Sequence, residues 1–195
     1  MTMNTVNSLL VCAGLFLAAC GDETAKNPDS EKVANEANDE KIATNTFEKD
    51  AEALVKMSSR DLYLASAAKY AVTNANQKQV KDLANAIANG HSNMAAEVKT
   101  FAAKRNYNVP DSMSNDYEKD REDMTGWKKG KEFDTKFVDE VIDEHEKAIR
   151  LLEDCARDTK DGDLKAWCEK SLPALRTHLE ESKRIKDEIA AVYKS

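Results

Sequence analysis

From Thr46 onward the chain repeats apolar residues every third or fourth position, with Gly and Pro sparse and no strand-like alternation. That period places apolar side chains along one stripe of an α-helix, so the stripe has to be buried against other helices. The spacing predicts helices over residues 47–72, 77–105, 132–157 and from 163 to about 193, with a shorter one over 115–124. Asn45 followed by Glu48, and Asn76 followed by Gln79, have the spacing of capping boxes. Residues 106–114, which contain Pro110, read as a connection, and 159–163 as a tight turn. Pro173 should bend the last helix, because its ring clashes with the carbonyl of Glu169. Two helical hairpins joined by a longer crossing segment make an all-α, antiparallel four-helix bundle over residues 46–195.

Polar residues interrupt each of the stripes. The first helix reads Phe47, Ala51, Leu54, Ser58, Asp61, Ala65, Ala68, Val72, and the second Val80, Ala84, Ile87, His91, Met94, Val98, Phe101. On the third, Asp134, Val138, Val141, His145 and Leu152 align, and on the fourth Trp167, Leu175, His178, Ser182, Ile185 and Ile189. The chain has only 3 histidines, and each falls on the inward stripe of a different helix. In an antiparallel hairpin, residues equidistant from the turn share one height. Asp61 and His91 are equidistant from Asn76, and His145 and His178 from the middle of the 159–163 turn, so each pair should face across its hairpin. The irregular crossing segment leaves the relative height of the hairpins open.

Three imidazoles and a carboxylate from four helices are a tetrahedral ligand set for zinc, and imidazole equally suits copper or iron. The rival reading is a hydrogen-bonded polar layer that fixes helix register and holds no metal. Neither requires catalysis. Serine-nucleophile, phosphate-loop and zinc-protease motifs are all missing from the sequence.

Cys155 and Cys168 are also equidistant from the 159–163 turn and should oppose each other, closing a disulfide in an oxidising compartment. That compartment is suggested by the start of the chain. Residues 1–19 carry no charge, and residues 9–19 form an apolar run too short to span a bilayer. The run ends Leu17-Ala18-Ala19-Cys20, which resembles a lipobox, although the preceding residues lack Lys or Arg. Residues 1–19 are therefore expected to be a lipoprotein signal peptide, with Cys20 the lipidated residue and the membrane the partner reached through its acyl chains. Gly21 at the next position resembles outer-membrane sorting, so the expected location is the cell envelope, facing the periplasm or the cell surface.

Residues 21–45 have seven acids, three lysines and no aromatic residue, which predicts a disordered acidic tether over 20–45. The net charge of −7 resides wholly in the segment after residue 19. Nucleic acid is excluded as a partner, since its phosphates demand a basic patch.

Several short motifs stand in a familiar order: Gly90-His91, Phe101-Ala102-Ala103-Lys104, Gly130-Lys131-Glu132-Phe133-Asp134, Glu144-His145-Glu146-Lys147-Ala148 and Leu172-Pro173-Ala174-Leu175-Arg176-Thr177-His178-Leu179. Across residues 46–190 this order resembles an uncharacterised ferritin-like family of exported bacterial proteins, often labelled outer membrane proteins. The resemblance implies a ferritin-like bundle with inward histidines at His91, His145 and His178, and brings no activity. Two departures weigh against a di-iron centre. Asp61-Leu62-Tyr63 stands where members carry Glu-x-Glu, and Ala88, Ile142 and Leu175 stand three residues before the histidines, where di-iron sites have Glu.

Overall fold

A computed structural model describes residues 27–42 and 45–194, apart from the side chains of residues 45 and 46. The signal peptide, lipobox and Cys20 expected from the sequence lie outside the described residues, as does the side chain of the proposed Asn45 cap.

The described chain is all-helical. Its elements in order are α1 (Ser30–Asp39), α2 (Asn45–Asn74), α3 (Lys78–Lys104), α4 (Asn115–Asp123), a 3₁₀ turn (Met124–Gly126), α5 (Lys131–Asp158) and α6 (Gly162–Val192). Helices α2 and α3 pack as one antiparallel hairpin and α5 and α6 as the other; α2 against α5 and α3 against α6 complete the four-helix bundle. No helix among the described residues is long and apolar enough to cross a membrane. Helix α6 runs through Pro173 uninterrupted. That residue is exposed, so its ring faces solvent and not the core.

The core is in two pieces. One apolar cluster, with Leu64, Ala68, Val80, Ile87, Phe133, Val141 and Ile185, fills the end beside the α2–α3 turn. The other, with Leu54, Met57, Met94, Val98, Leu152, Leu164 and Leu175, fills the end beside the α5–α6 turn. The expected stripes match these clusters except at Phe47, which is 45% exposed at the first turn of α2.

Two expectations are corrected. Residues 21–45 are not a tether throughout, because Ser30–Asp39 form helix α1 against the bundle. Polar bonds dock it in place of apolar area, which is why composition hides it. Asp29 caps α1 by accepting from the Lys32 amide and also accepts from the Asn115 amide at 2.8 Å. The Ser30 hydroxyl donates to the Ser112 and Met113 carbonyls. Asn38, 2% exposed, exchanges hydrogen bonds with the backbone of Asn108 at 2.7 and 2.9 Å. Second, Asn76 does not cap α3. The N-cap is Gln77, which has no side-chain cap of its own. The buried Asp134 of α5 accepts from the Asn76 and Gln77 amides at 2.8 and 2.9 Å, supplying the capping acceptors from across the bundle. The α5 start depends on Gly130, whose φ of 88° is a region that a side chain would strain.

Candidate metal centre

Between the two apolar clusters lies a layer of ionisable side chains. Each comes from the middle of a long helix, so its Cα is fixed by packing above and below. Asp61, His91 and His145 are 0% exposed. His178 is partly exposed, at the floor of a groove between α3 and α6 lined by Asp82, Leu83, Ala86, Glu180, Glu181 and Arg184.

The within-hairpin pairing expected from the sequence holds for Asp61 with His91 and for His145 with His178, and the two hairpins also share one height. His91 Nδ1 lies 2.8 Å from Asp61 Oδ1, and His91 Nε2 lies 3.2 Å from His145 Nε2. His145 Nε2 is in turn 3.4 Å from His178 Nδ1, while His145 Nδ1 donates to the Val141 carbonyl at 2.7 Å. One ligand nitrogen from each histidine falls within a group whose members are all within 4.8 Å of one another.

Asp61 plays a different part from the one expected. It is outside that group; its carboxylate orients His91 from behind. A carboxylate on the far nitrogen of an imidazole fixes the tautomer and presents the other lone pair to the site. The Val141 carbonyl does the same for His145. Its bond assigns the His145 proton to Nδ1 and leaves the Nε2 lone pair facing inward.

Burial governs the protonation of this layer. It raises the Asp61 carboxyl well above the ordinary carboxylate range, against the opposing pull of Arg60. His91 and His145 are each pushed down to about 3 by burial, reinforced by the Arg60 charge at His91 and by His91 at His145. His178 is lowered by the same causes, burial first and then His91. The Asp61–His91 contact has ion-pair geometry, yet both groups are driven towards their neutral forms. We describe it as a hydrogen bond sharing one proton, since two fully buried charges would be costly. Asp61 Oδ2 has no partner.

With that proton on Asp61, a neutral chain closes without a cation. Asp61 donates to His91 Nδ1, His91 Nε2–H donates to His145 Nε2, and His145 Nδ1–H donates to Val141. With that proton moved to His91 Nδ1 and the Nε2 proton released, two lone pairs would face each other at 3.2 Å, an arrangement that a cation between them would satisfy. The three histidines could hold a metal ion, and binding it would move one proton from Asp61 to His91 Nδ1 and release the proton of His91 Nε2.

Sequence reasoning missed two contributors. Gly90 lets α3 approach α6 closely, for a Cβ there would lie 2.8 Å from His178 Cε1. Its only signal was its place beside His91. Arg60, next to Asp61, binds Glu144, next to His145, through Nε at 2.8 Å. Glu144 also accepts from the Tyr117 hydroxyl and Lys147. Burial would raise its carboxyl, but the bonds from Lys147, Tyr117 and Arg60 outweigh burial and hold it low. This clamp locks α2 to α5 one residue from the histidine layer. An arginine on a mostly apolar helix face was the available clue.

Cys155 and Cys168 oppose each other across their turn, but as free thiols with sulfurs 3.0 Å apart and not as the expected disulfide. Residues 32–185 match the model of a protein family described as Domain of unknown function (DUF4142). No curated protein and no solved structure matches the chain.

Proposed function

The chain belongs to the DUF4142 family, a domain of unknown function, and from its own site we propose that it is a transition-metal-binding module with His91, His145 and His178 as ligands. The observation that carries this is the spacing of the nitrogens. Metal–nitrogen bonds of about 2.0–2.1 Å at tetrahedral angles put ligand nitrogens about 3.4 Å apart. The His91–His145 and His145–His178 separations are 3.2 and 3.4 Å, and all three nitrogens lie within 4.8 Å of one another, so the partly exposed His178 closes the set by a small movement. Asp61 supports the ligand set from outside, and the groove at His178 offers an entry path and room for a fourth ligand such as water. The all-imidazole set suits zinc, copper or iron; the lack of a carboxylate ligand favours zinc or copper over a non-haem iron site. Holding or buffering the ion needs no catalysis.

The wider reading is a ferritin-like bundle exported to the envelope, anchored through an acylated Cys20 and facing the periplasm or cell surface. It rests on the lipobox-like Leu17-Ala18-Ala19-Cys20 and on the family resemblance. Replacing Cys20 by Ala should move the protein from the membrane to the soluble fraction; unchanged membrane association would overturn the anchor.

The metal reading is tested by elemental analysis of protein prepared without chelator or affinity nickel, followed by titration with Zn²⁺ and Cu²⁺. One equivalent of metal in the wild type, lost in His145→Ala, is expected. A wild type that takes up none, and whose melting is unmoved by either ion, would instead support the second reading. There the self-satisfied chain Asp61–His91–His145–Val141 serves only to fix packing.

A further inference from the structure

The two cysteines form a second reactive cluster, at the far end of the same hairpin. Cys155 on α5 lies ten residues beyond His145, and Cys168 on α6 ten residues before His178. At 1.5 Å per residue that separation is about 15 Å along each helix, so the sulfurs cannot join the histidine site. Among the described residues no third metal-ligating side chain groups with them. The pair therefore has its own chemistry.

The two sulfurs differ in access. Cys168 is 0% exposed, whereas Cys155 is 8% exposed. Cys155 lines a cleft of about 260 Å³ between α2 and α5, together with Lys49, Asp50, Ala53, Leu151 and Thr159; Cys168 is not in that lining. The Cys168 S–H donates to Cys155 Sγ, and its thiol is raised by that bond first and by burial second. That bond and burial hold the inner sulfur in its S–H form, while the outer sulfur lines the cleft. A reagent in the cleft reaches Cys155, and Cys168 reacts only with what is attached there.

We propose that Cys155 and Cys168 are a redox-active dithiol–disulfide pair, entered through Cys155 by small-molecule disulfides in this cleft. The Cys155 thiolate attacks one sulfur of the external disulfide, forming a mixed disulfide and expelling one thiolate. Cys168 then passes its proton to that expelled thiolate, attacks the Cys155 sulfur and expels the second. Two protein thiols are oxidised, one external disulfide is reduced to two thiols, and the S–H protons end on those thiols. The product staples the C-terminal end of α5 to the N-terminal end of α6, the two helices that carry His145 and His178.

The test uses the full chain, reduced and then exposed to cystine. Differential alkylation and peptide mapping follow residues 155 and 168 individually. In the wild type both thiols should vanish together with no cysteine adduct retained. Cys168→Ser should trap the adduct on Cys155. In Cys155→Ser, Cys168 should react at least about tenfold more slowly than Cys155 does, as buried thiols are inert. Wild-type protein that keeps both thiols, or stops at an adduct on Cys155, would overturn the pair. Equal reactivity of Cys168 in helical, folded Cys155→Ser would overturn entry through Cys155. The wild-type time course decides the first point even if a variant fails to fold.

Discussion

The two hairpins deliver their polar residues to one layer by opposite means. In α2–α3, Asp61 and His91 are both fully buried and bonded to each other, so neither can be removed without stranding its partner. In α5–α6, His145 is tied to its own backbone at Val141, and His178 stands at the edge, touched by the groove and crowded by Gly90. For the proposed ion the first hairpin would supply a rigid, pre-oriented ligand, and the second one fixed and one adjustable ligand. A buried site needs both, because a wholly sealed layer would give an ion no route in, and a wholly exposed one would not hold it in a fixed geometry.

This contrast can be broken first at His91. His91→Ala leaves the buried Asp61 acid without its partner and opens a cavity, and should cost about 3–5 kcal/mol, read from urea unfolding. If His178→Ala costs as much, the asymmetry between hairpins is wrong. Asp61→Asn comes next. Asparagine has nearly the shape of the protonated acid that burial favours, so stability in the metal-free state should change by less than about 1.5 kcal/mol. Metal affinity should fall about 10–100-fold, as expected when the carboxylate behind a ligating histidine is lost. A titration showing equal affinity would remove Asp61 from the binding unit.

Gly90→Ala sharpens the comparison further. Alanine is the better helix former by about 1 kcal/mol, and the ring it meets belongs to a partly exposed side chain that can turn outward. Melting should therefore be unchanged or slightly higher, while the metal stoichiometry measured by elemental analysis drops. A marked fall in melting temperature would mean that His178 cannot yield. The smallest effect is expected for His178→Ala on metal-free stability, below about 1 kcal/mol, since little buried polar bonding is lost there. Its metal binding should nevertheless weaken clearly in the same titration used for the wild type.

Much of this layer was legible before any coordinates. The equidistance of Asp61 and His91 from one turn, and of His145 and His178 from the other, follows from antiparallel geometry and holds. The same arithmetic brought Cys155 to Cys168. What it misjudged were interactions made across chain segments. Asp61 has the donor chemistry of a ligand, and only the position of His91 Nδ1 shows that it stands behind the imidazole. Asp134 lay on an inward stripe, yet its role is to cap a helix 58 residues away in sequence at Asn76. The α1 segment has the composition of a solvated tether, and its order depends on Asn108, Ser112 and Met113, which lie in the irregular connection.

The amino-acid sequence by itself settled the helices, their buried stripes and the facing pairs within each hairpin, because a period of 3.6 residues and a short turn are local properties. The relative height of the two hairpins, and so the meeting of three imidazoles, was decided only by the tertiary structure. The stretches on either side of α4 have no period to measure along, and the position of the first is set by bonds to α1 and α2, including Ser58 to the Pro110 carbonyl and the Ser114 amide to Ser59. Register between the hairpins is therefore a property of long-range packing, and the chemistry of the layer inherits it.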